Sequence, residues 1–269
     1  MARLILIGDL HGCLHEAEEL LQKCDARPED HVLFLGDLVD RGPDSGGCVE
    51  LSLRIEARQG KPACIIGNHE EKHLFYDDIQ HRKGHVNVDI PTHVETRMQL
   101  KRHHYDYFRR MPKFIRFPEH NLVAVHAGVF PKRTIEQQTD RHLLHIQSIN
   151  PFDQWGNLRQ GKDADKSMWP SRVPPAEQNV WKFWHHFWDG PERIAFGHSV
   201  LNKPLITDKV IGIDGGACFG LELWAYILPD NRLVSVKGRG KHDQADMDRR
   251  GNHDRRLFII DEAHGVGTY

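Results

Sequence analysis

Long apolar runs and cysteine pairs are both missing from this sequence. The apolar stretch near its start, RLILIG, ends at Asp9 and is too short for a signal sequence or a membrane-spanning helix. The five cysteines form no C-x-x-C pair, and their odd number favours reduced thiols over a disulfide framework. We therefore expect a cytoplasmic protein with no membrane partner.

An excess of charge of one sign is absent as well. The chain of 269 residues has a formal net charge of -2, so its charge balance does not point to nucleic acid as a partner. Hydrophobic residues make up 39% and charged residues 28%, which is typical of a folded globular domain. The twenty histidines become informative only where they follow a predicted strand.

Short apolar runs that end in Gly, Asp, Asn or His recur along the chain, and each predicts a buried strand. The first five cover residues 3–12, 31–42, 62–71, 121–128 and 193–199, and three later ones cover 210–216, 221–229 and 231–238. Helical periodicity predicts helices over 14–24, 45–59 and 92–111. The β-α-β-α-β order favours an α/β sheet with helices outside, and the closely spaced later strands predict a hairpin or meander in a mixed or second sheet.

No boundary divides the chain strongly, so we predict one domain over residues 1–238. Within it, residues 131–190 are rich in Pro and Trp. This composition predicts an irregular insert with a helix near 177–188, and the insert is a candidate wall of the substrate site. Residues 239–269 are predicted as a polar C-terminal tail, and 239–256 is almost wholly polar.

Side chains that bind metals follow the early strands at their carboxyl ends, where open α/β sheets bind ligands. They are Asp9, His11, Asp37, Asn68, His69, His126 and His198. Carboxylate, imidazole and amide donors suit Mn, Fe or Zn, and the count fits a centre of two metals sharing one carboxylate. Each motif alone is weak evidence, since a near copy of GNHE, GNHD, recurs at 251–254 in the polar tail.

The ordered motifs GDLHG, GDLVDRG, GNHE, HAG and GHS, spread over residues 8–199, resemble those of the calcineurin-like metallophosphoesterases. The DRG that ends the second motif and the Glu that follows GNH resemble the motifs of the PPP-type phosphatase branch. The resemblance implies a four-layer α/β/β/α sandwich of two mixed sheets flanked by helices. It also implies two divalent metals, for which we expect Mn, with Fe or Zn as alternatives. The implied ligand sets are Asp9, His11 and His198 for one metal and Asn68 and His126 for the other, with Asp37 bridging.

The resemblance also implies roles for residues that do not bind metal. His69 would be the general acid that protonates the leaving oxygen, and Asp40 would hold its ring. Arg41 would bind phosphate oxygens through its planar guanidinium. Arg172, in SMWPSRVP, is the candidate for a second phosphate-binding arginine, with a plain surface arginine as the alternative reading.

The chain departs from the eukaryotic protein phosphatases, because it has IIGNHE and IDGGACFG where those have motifs similar to LRGNHE and SAPNY. It resembles instead the bacterial and phage group of lambda-type protein phosphatases and symmetrical diadenosine tetraphosphatases. We expect hydrolysis of phosphomonoesters, foremost of phosphoserine or phosphothreonine in a protein or peptide, and of small phosphoesters. The alternative is symmetrical cleavage of a dinucleoside polyphosphate into two ADP.

Two further alternatives have less support in the sequence. An inactive scaffold would have lost a ligand or the acid, and none is missing. Processing of nucleic-acid ends would use the arginine pairs of the tail, but aspartates interrupt them. Five tryptophans could stack on a base or belong to the core, and they are Trp155, Trp169, Trp181, Trp184 and Trp188.

Overall fold

The computed structural model describes residues 2–88, 90–153, 156–160 and 182–240, together with the backbone of 258–261 and 265–268. Arg172, Trp155, Trp169 and Trp181 lie outside the described residues, so the expectations for them stay predictions. Residues 177–181 of the predicted helix and residues 241–257 of the tail lie outside them too. The described part of that predicted helix is not α-helical, because it forms a short strand at Lys182–Phe183 and a 3-10 turn at Trp184–Phe187.

The strands, in chain order, are β1 (Leu4–Ile7), β2 (His31–Phe34), β3 (Phe114–Phe117), β4 (Leu122–Val125), β5 (Ser148–Ile149), β6 (Lys182–Phe183), β7 (Arg193–Phe196), β8 (Leu205–Ile206), β9 (Val210–Gly212), β10 (Glu222–Leu228), β11 (Arg232–Lys237), β12 (Phe258–Asp261) and β13 (Gly265–Thr268). The α-helices are α1 (Leu14–Lys23), α2 (Ser45–Gln59), α3 (Asn68–Lys83), α4 (Pro91–Gln99), α5 (Arg102–Arg110) and α6 (Asp140–His145). Short 3-10 turns cover Pro118–His120, Ile135–Gln137 and Trp184–Phe187.

Two mixed sheets form the centre of the fold. The first has the order β11-β10-β1-β2, with β1 parallel to β2 and antiparallel to β10. The second has the order β3-β4-β7-β9-β8, in which β4, β7 and β9 are parallel and the two edge strands are antiparallel. All four residues of β1 and of β4 are buried, as expected for strands covered on both faces. With the helices around the sheets, this architecture confirms the predicted fold class.

Two predicted elements in the first half of the chain differ from the structure. Residues 62–71 contribute only a single bridge between Phe34 and Cys64, because α3 begins soon afterwards at Asn68. The predicted helix over 92–111 is two helices, since the backbone is extended at Leu100 and Lys101. The Lys101 N–H bonds to the His104 ring at 3.2 Å, which caps the second helix.

The strands near the end of the domain are also distributed between the sheets differently from the prediction. The predicted hairpin is confirmed for β10 and β11, but β9 belongs to the other sheet. Near the C-terminus, the backbone of β12 and β13 forms an antiparallel pair within the segment that was predicted as a tail. In the described residues no helix combines the length and the apolar character that crossing a bilayer requires.

The tryptophans of the insert that the structure describes are part of the core. Trp184 is fully buried, with its ring centroid 5.1 Å from that of Phe196, and Trp188 is 7% exposed. Gly128 allows the Trp184 ring to pack closely, since a Cβ at that position would lie 2.3 Å from it. These two rings are therefore not available to stack on a substrate base.

The buried centre of the first sheet should dominate stability. Ile5, in β1, is fully buried and flanked by Val32 and Ile227. We expect Ile5→Ala to lower the free energy of unfolding by about 2–5 kcal/mol, because it leaves a cavity in a packed core. Met98→Ala is the control, since Met98 is 83% exposed, and it should change stability by no more than about 0.5 kcal/mol. Urea denaturation measures both, and equal effects would contradict the assignment of the core.

Candidate active site

The polar side chains that follow the strands converge at one end of the two sheets. Asp9 and His11 follow β1, Asp37 follows β2, His126 follows β4 and His198 follows β7. Asn68 and His69 join them from the first turn of α3, not from the end of a strand as predicted. Asp9, His11, Asp37 and His126 are buried, whereas Asn68, His69 and His198 are partly exposed.

One oxygen of Asp37 lies at the centre of this cluster. The Asp37 Oδ2 atom is 3.5 Å from His11 Nε2, 3.4 Å from His126 Nε2 and 3.9 Å from His69 Nε2. Donor atoms of His11, Asp37 and His69 lie within 4.8 Å of one another, and so do those of Asp37, His126 and His198. Asp37 therefore belongs to two potential metal-binding groups, which is the position required of a bridging carboxylate.

The side chain of His198 belongs to the second group. Its Nδ1 atom is 2.9 Å from Asn68 Oδ1, and His126 Nε2 is also 2.9 Å from that oxygen. Only the His198 backbone reaches Asp9, through its N–H, at 3.0 Å and 3.1 Å from the two carboxylate oxygens. The structure therefore corrects the expected pairing of His198 with Asp9 and His11, because its backbone and side chain face different groups.

The histidines present the nitrogens that a metal would need. His11 Nδ1 donates to the Val39 carbonyl at 2.9 Å, and His126 Nδ1 donates to the Leu35 carbonyl at 2.7 Å. These bonds direct the Nε2 atoms into the cluster, an arrangement typical of metal-ligating histidine. There His126 Nε2 faces the Asp37 carboxylate and the Asn68 amide oxygen. His11 Nε2 lies near the Asp37 carboxylate and in contact with Arg41 Nη1. The donor set thus fits divalent metal ions.

The electrostatics of the carboxylates agree with this fit. Burial raises the pKa of Asp37, but the charges of His126 and His69 outweigh it and hold that pKa well below its ordinary value. Burial lowers the pKa of His126, yet the charge of Asp37 prevails and raises it to about 10. Burial and the neighbouring Asp214 carboxylate raise the pKa of Asp9 well above its ordinary value. Asp37 and His126 therefore stabilise each other as an oppositely charged pair within the cluster.

Backbone strain is concentrated in the same place. Nine residues other than glycine have positive φ in the described part of the chain, and five of them belong to this site: His11, Asp37, Asp40, Arg41 and His198. Such conformations are costly for these residues and persist where the surrounding structure enforces them. The strain allows several polar side chains to leave the strand ends in one direction.

Glu70 fixes the backbone around Asp37. Its carboxylate accepts hydrogen bonds from the backbone N–H groups of Asp37, Leu38 and Gly67 at 2.8–3.0 Å. Burial and the charge of Asp37 raise the pKa of Glu70 to about 7. Gly67 permits the close approach, because a Cβ there would lie 2.2 Å from Asp37 Oδ1. Glu70 therefore fixes the backbone that presents Asp37.

Asp40 binds His69 as predicted, and it also contacts two other histidines. Asp40 Oδ2 is 2.6 Å from His69 Nδ1 and 3.2 Å from His93 Nε2, while Oδ1 is 2.8 Å from His73 Nε2. Burial raises the pKa of Asp40, but hydrogen bonds from His69 and His73 outweigh it and hold that pKa well below its ordinary value. With Nδ1 fixed, His69 directs Nε2 towards Asp37.

Arg41 lies beside this cluster. Its Nη1 atom contacts His11 Nε2, and its guanidinium carbon lies 5.4 Å from the ring centroid of Phe219. A guanidinium next to the candidate metal ligands is placed where phosphate oxygens would approach, so the phosphate-binding role stays a prediction compatible with this position.

Sequence reasoning missed four residues of the site. Asp214 follows β9 as the other acids follow their strands, and this pattern could have identified it. Glu70 stands at the third position of α3, where acids cap helices. His73 lies one turn beyond His69 on the same helix. His93, on α4, carried no signal, because its contact with Asp40 depends on how that helix packs.

Comparisons with known proteins agree with this geometry. A profile of the calcineurin-like phosphoesterase family matches residues 2–236. The bis(5'-nucleosyl)-tetraphosphatase PrpE (asymmetrical) of Oceanobacillus iheyensis is 27% identical over 257 residues, which cover 88% of this chain and 93% of the relative. The protein of the same description from Halalkalibacterium halodurans is 26% identical over 251 residues, covering 87% and 93%.

Solved structures with a similar fold include a crystal structure provisionally described as a diadenosine tetraphosphatase. It has a TM-score of 0.68 and 25% identity, and the match covers 88% of this chain and 94% of that one. A protein serine/threonine phosphatase from Saccharomyces cerevisiae has a TM-score of 0.51 at 15% identity, with 88% and 79% covered. The second likeness concerns the fold alone.

The contacts of Asp40 lead to a prediction about stability and pH. We expect Asp40→Asn to lower the free energy of unfolding by about 3 kcal/mol at pH 7, because it removes the buried charge that three imidazoles surround. The folded-state pKa of Asp40 is depressed, so its contribution is present above the ordinary value of 3.8 and is lost as the pH falls through the folded-state value.

Urea denaturation between pH 3 and pH 7 measures this effect on metal-free protein. The difference between wild type and Asp40→Asn should shrink towards the acid end. Asp106→Asn is the control, because its side chain is 57% exposed, and it should behave as wild type. A constant difference across the range would contradict the assigned ionisation of Asp40.

Proposed function

The chain belongs to the calcineurin-like phosphoesterases, and from that premise we propose that it cleaves a dinucleoside tetraphosphate at a centre of two metals. Membership of the family makes it a metal-dependent hydrolase of phosphoric esters. The convergence of two donor groups on Asp37 is the observation that carries the dinuclear centre. The choice of substrate is supported by the relatives, which are described as asymmetrical tetraphosphatases and are matched over nearly their whole length.

The proposed ligands divide into two sets that share Asp37. Asp9 and His11 would hold one metal, and Asn68, His126 and His198 the other. Bound divalent metals, with Mn as our proposal, would neutralise the phosphoryl oxygens and make a water more acidic. The mixture of imidazole and oxygen donors is also compatible with Fe or Zn.

The remaining side chains would act on the substrate directly. Arg41 would bind the phosphoryl oxygens and orient them. His69 would donate a proton from Nε2 to the leaving oxygen, while Asp40 keeps its Nδ1 protonated and its ring fixed. Each of these roles rests on positions around Asp37 and on the chemistry of the side chain.

Product analysis tests the choice of substrate. We expect metal-loaded protein to convert diadenosine tetraphosphate into ATP and AMP, as the description of the relatives implies. Cleavage into two ADP is the alternative drawn from the sequence, and the products distinguish the two. The same panel should include p-nitrophenyl phosphate and a phosphoserine peptide, since phosphomonoester hydrolysis stays a prediction. Mn, Fe and Zn are compared in parallel. Asp37→Asn, which removes the shared ligand, is the inactive control, and an inert dinucleotide would reject the proposal.

The acid role of His69 can be separated from metal binding. We expect His69→Asn to reduce kcat for the phosphoserine peptide by about 10²–10⁴-fold, because an alkoxide leaving group needs a proton. The loss for p-nitrophenyl phosphate should be far smaller, since p-nitrophenolate leaves readily without one. Bound metal is measured alongside, because His69 also lies within reach of His11 and Asp37. Equal losses on both substrates together with lost metal would instead make His69 a ligand.

A further inference from the structure

A cleft of about 480 Å³ opens next to the candidate acid. Its lining residues are Asn68, His69, Glu71, Lys72, Phe75, His93 and His145. The first five all belong to α3, and the spacing of Asn68, Lys72 and Phe75 places them on one face of that helix. This face runs from the metal-binding end of the helix outwards, and Phe75 lies about 10 Å along the axis from Asn68.

Phe75 is an exposed aromatic residue beside a polar centre. Its side chain is 51% exposed, in contrast to the buried Trp184 and Trp188 of the insert. A large exposed ring at the edge of a cleft is a natural platform for a planar ligand. The outward face of α3 therefore offers the stacking surface that the described tryptophans do not provide.

Lys72 supplies positive charge between the acid and this ring. Its Nζ atom lies 5.5 Å from the Phe75 ring centroid and 5.3 Å from that of Tyr76. Within the described part of the chain, no carboxylate lies within ion-pair distance of Lys72. The acid of the cleft, Glu71, is paired with His145 Nε2 at 2.9 Å, which offsets its charge. The cleft therefore combines a cation and an aromatic ring in line with His69.

We propose that this cleft binds the leaving nucleoside 5'-polyphosphate, with Lys72 on its phosphates and Phe75 stacked on its base. The order of groups along α3 matches the order in such a leaving group, in which phosphates adjoin the broken bond and the base lies farthest away. The inference rests on the proposed function. It assigns recognition of the leaving group to Lys72 and Phe75, beside the residues that act on the scissile phosphate.

Product inhibition tests the cleft without relying on cleavage of the dinucleotide. Hydrolysis of p-nitrophenyl phosphate by metal-loaded full-length protein is the reporter, at a fixed concentration of free metal. ATP is compared with inorganic tripolyphosphate, which has the same phosphates and no nucleoside. We expect Phe75→Ala to raise the inhibition constant of ATP about tenfold and to leave that of tripolyphosphate within twofold. Phe75→Trp should restore tight inhibition by ATP.

The second variant tests the phosphate contact. Lys72→Gln should raise the inhibition constants of ATP and tripolyphosphate by similar factors, about three- to tenfold, because both carry the phosphates. Leu233→Ala is the control, since Leu233 is 43% exposed on the outer strand β11, and it should change neither constant.

The outcomes separate this inference from the proposed function. The stacking site is overturned if Phe75→Ala leaves the inhibition constant of ATP unchanged. It is also overturned if that constant rises by the same factor as the inhibition constant of tripolyphosphate. The phosphate contact is overturned if Lys72→Gln changes the inhibition constant of neither ATP nor tripolyphosphate. If the selective effect on ATP is present and diadenosine tetraphosphate is inert, the cleft is supported and only the proposed substrate fails.

Discussion

The buried charge of Asp37 is the constraint around which this structure is organised. A carboxylate with no access to water is tolerable only where positive charge and hydrogen bonds surround it. Three imidazoles from separate segments approach one of its oxygens, and the other accepts the backbone N–H of His69 at 3.0 Å. The two sheets and the start of α3 must all be in place before that environment exists. Stability and chemistry therefore depend on the same contacts.

Around this centre the polar groups form two connected layers. The carboxylate of Glu70 holds the backbone that presents Asp37, while Asp40 holds His69 from the other side. Asp40 is in turn enclosed by His73 and His93, and the Tyr76 hydroxyl donates to His93 Nδ1 at 3.1 Å. The orientation of the His69 ring is thus fixed by a chain of neighbouring side chains. Such support is what keeps a catalytic geometry within a fraction of an ångström.

Much of this could be read from the sequence, and the failures have physical reasons. The strand ends were recognisable because continuous apolar runs stop at polar residues, and the first two helices show clear periodicity. Sequence order does not say which way a side chain points, so His198 was expected with the wrong partners. Asn68 and His69 were placed on a strand because a run of apolar residues precedes them. His93 reaches Asp40 only through the packing of α4, which no local pattern encodes.

The pairing of β1 with β10 has a consequence for how the protein is made. Leu4 lies opposite Leu228, so the central strand of the first sheet gains its second neighbour only near the end of the domain. A nascent chain carries Asp9 and Asp37 early in synthesis, yet the β1 strand that precedes Asp9 cannot pair along its second edge until β10 has left the ribosome. Until then the charged loops and an unpaired apolar strand edge are exposed together. Translation must therefore pass β10 before the first sheet can be completed around β1.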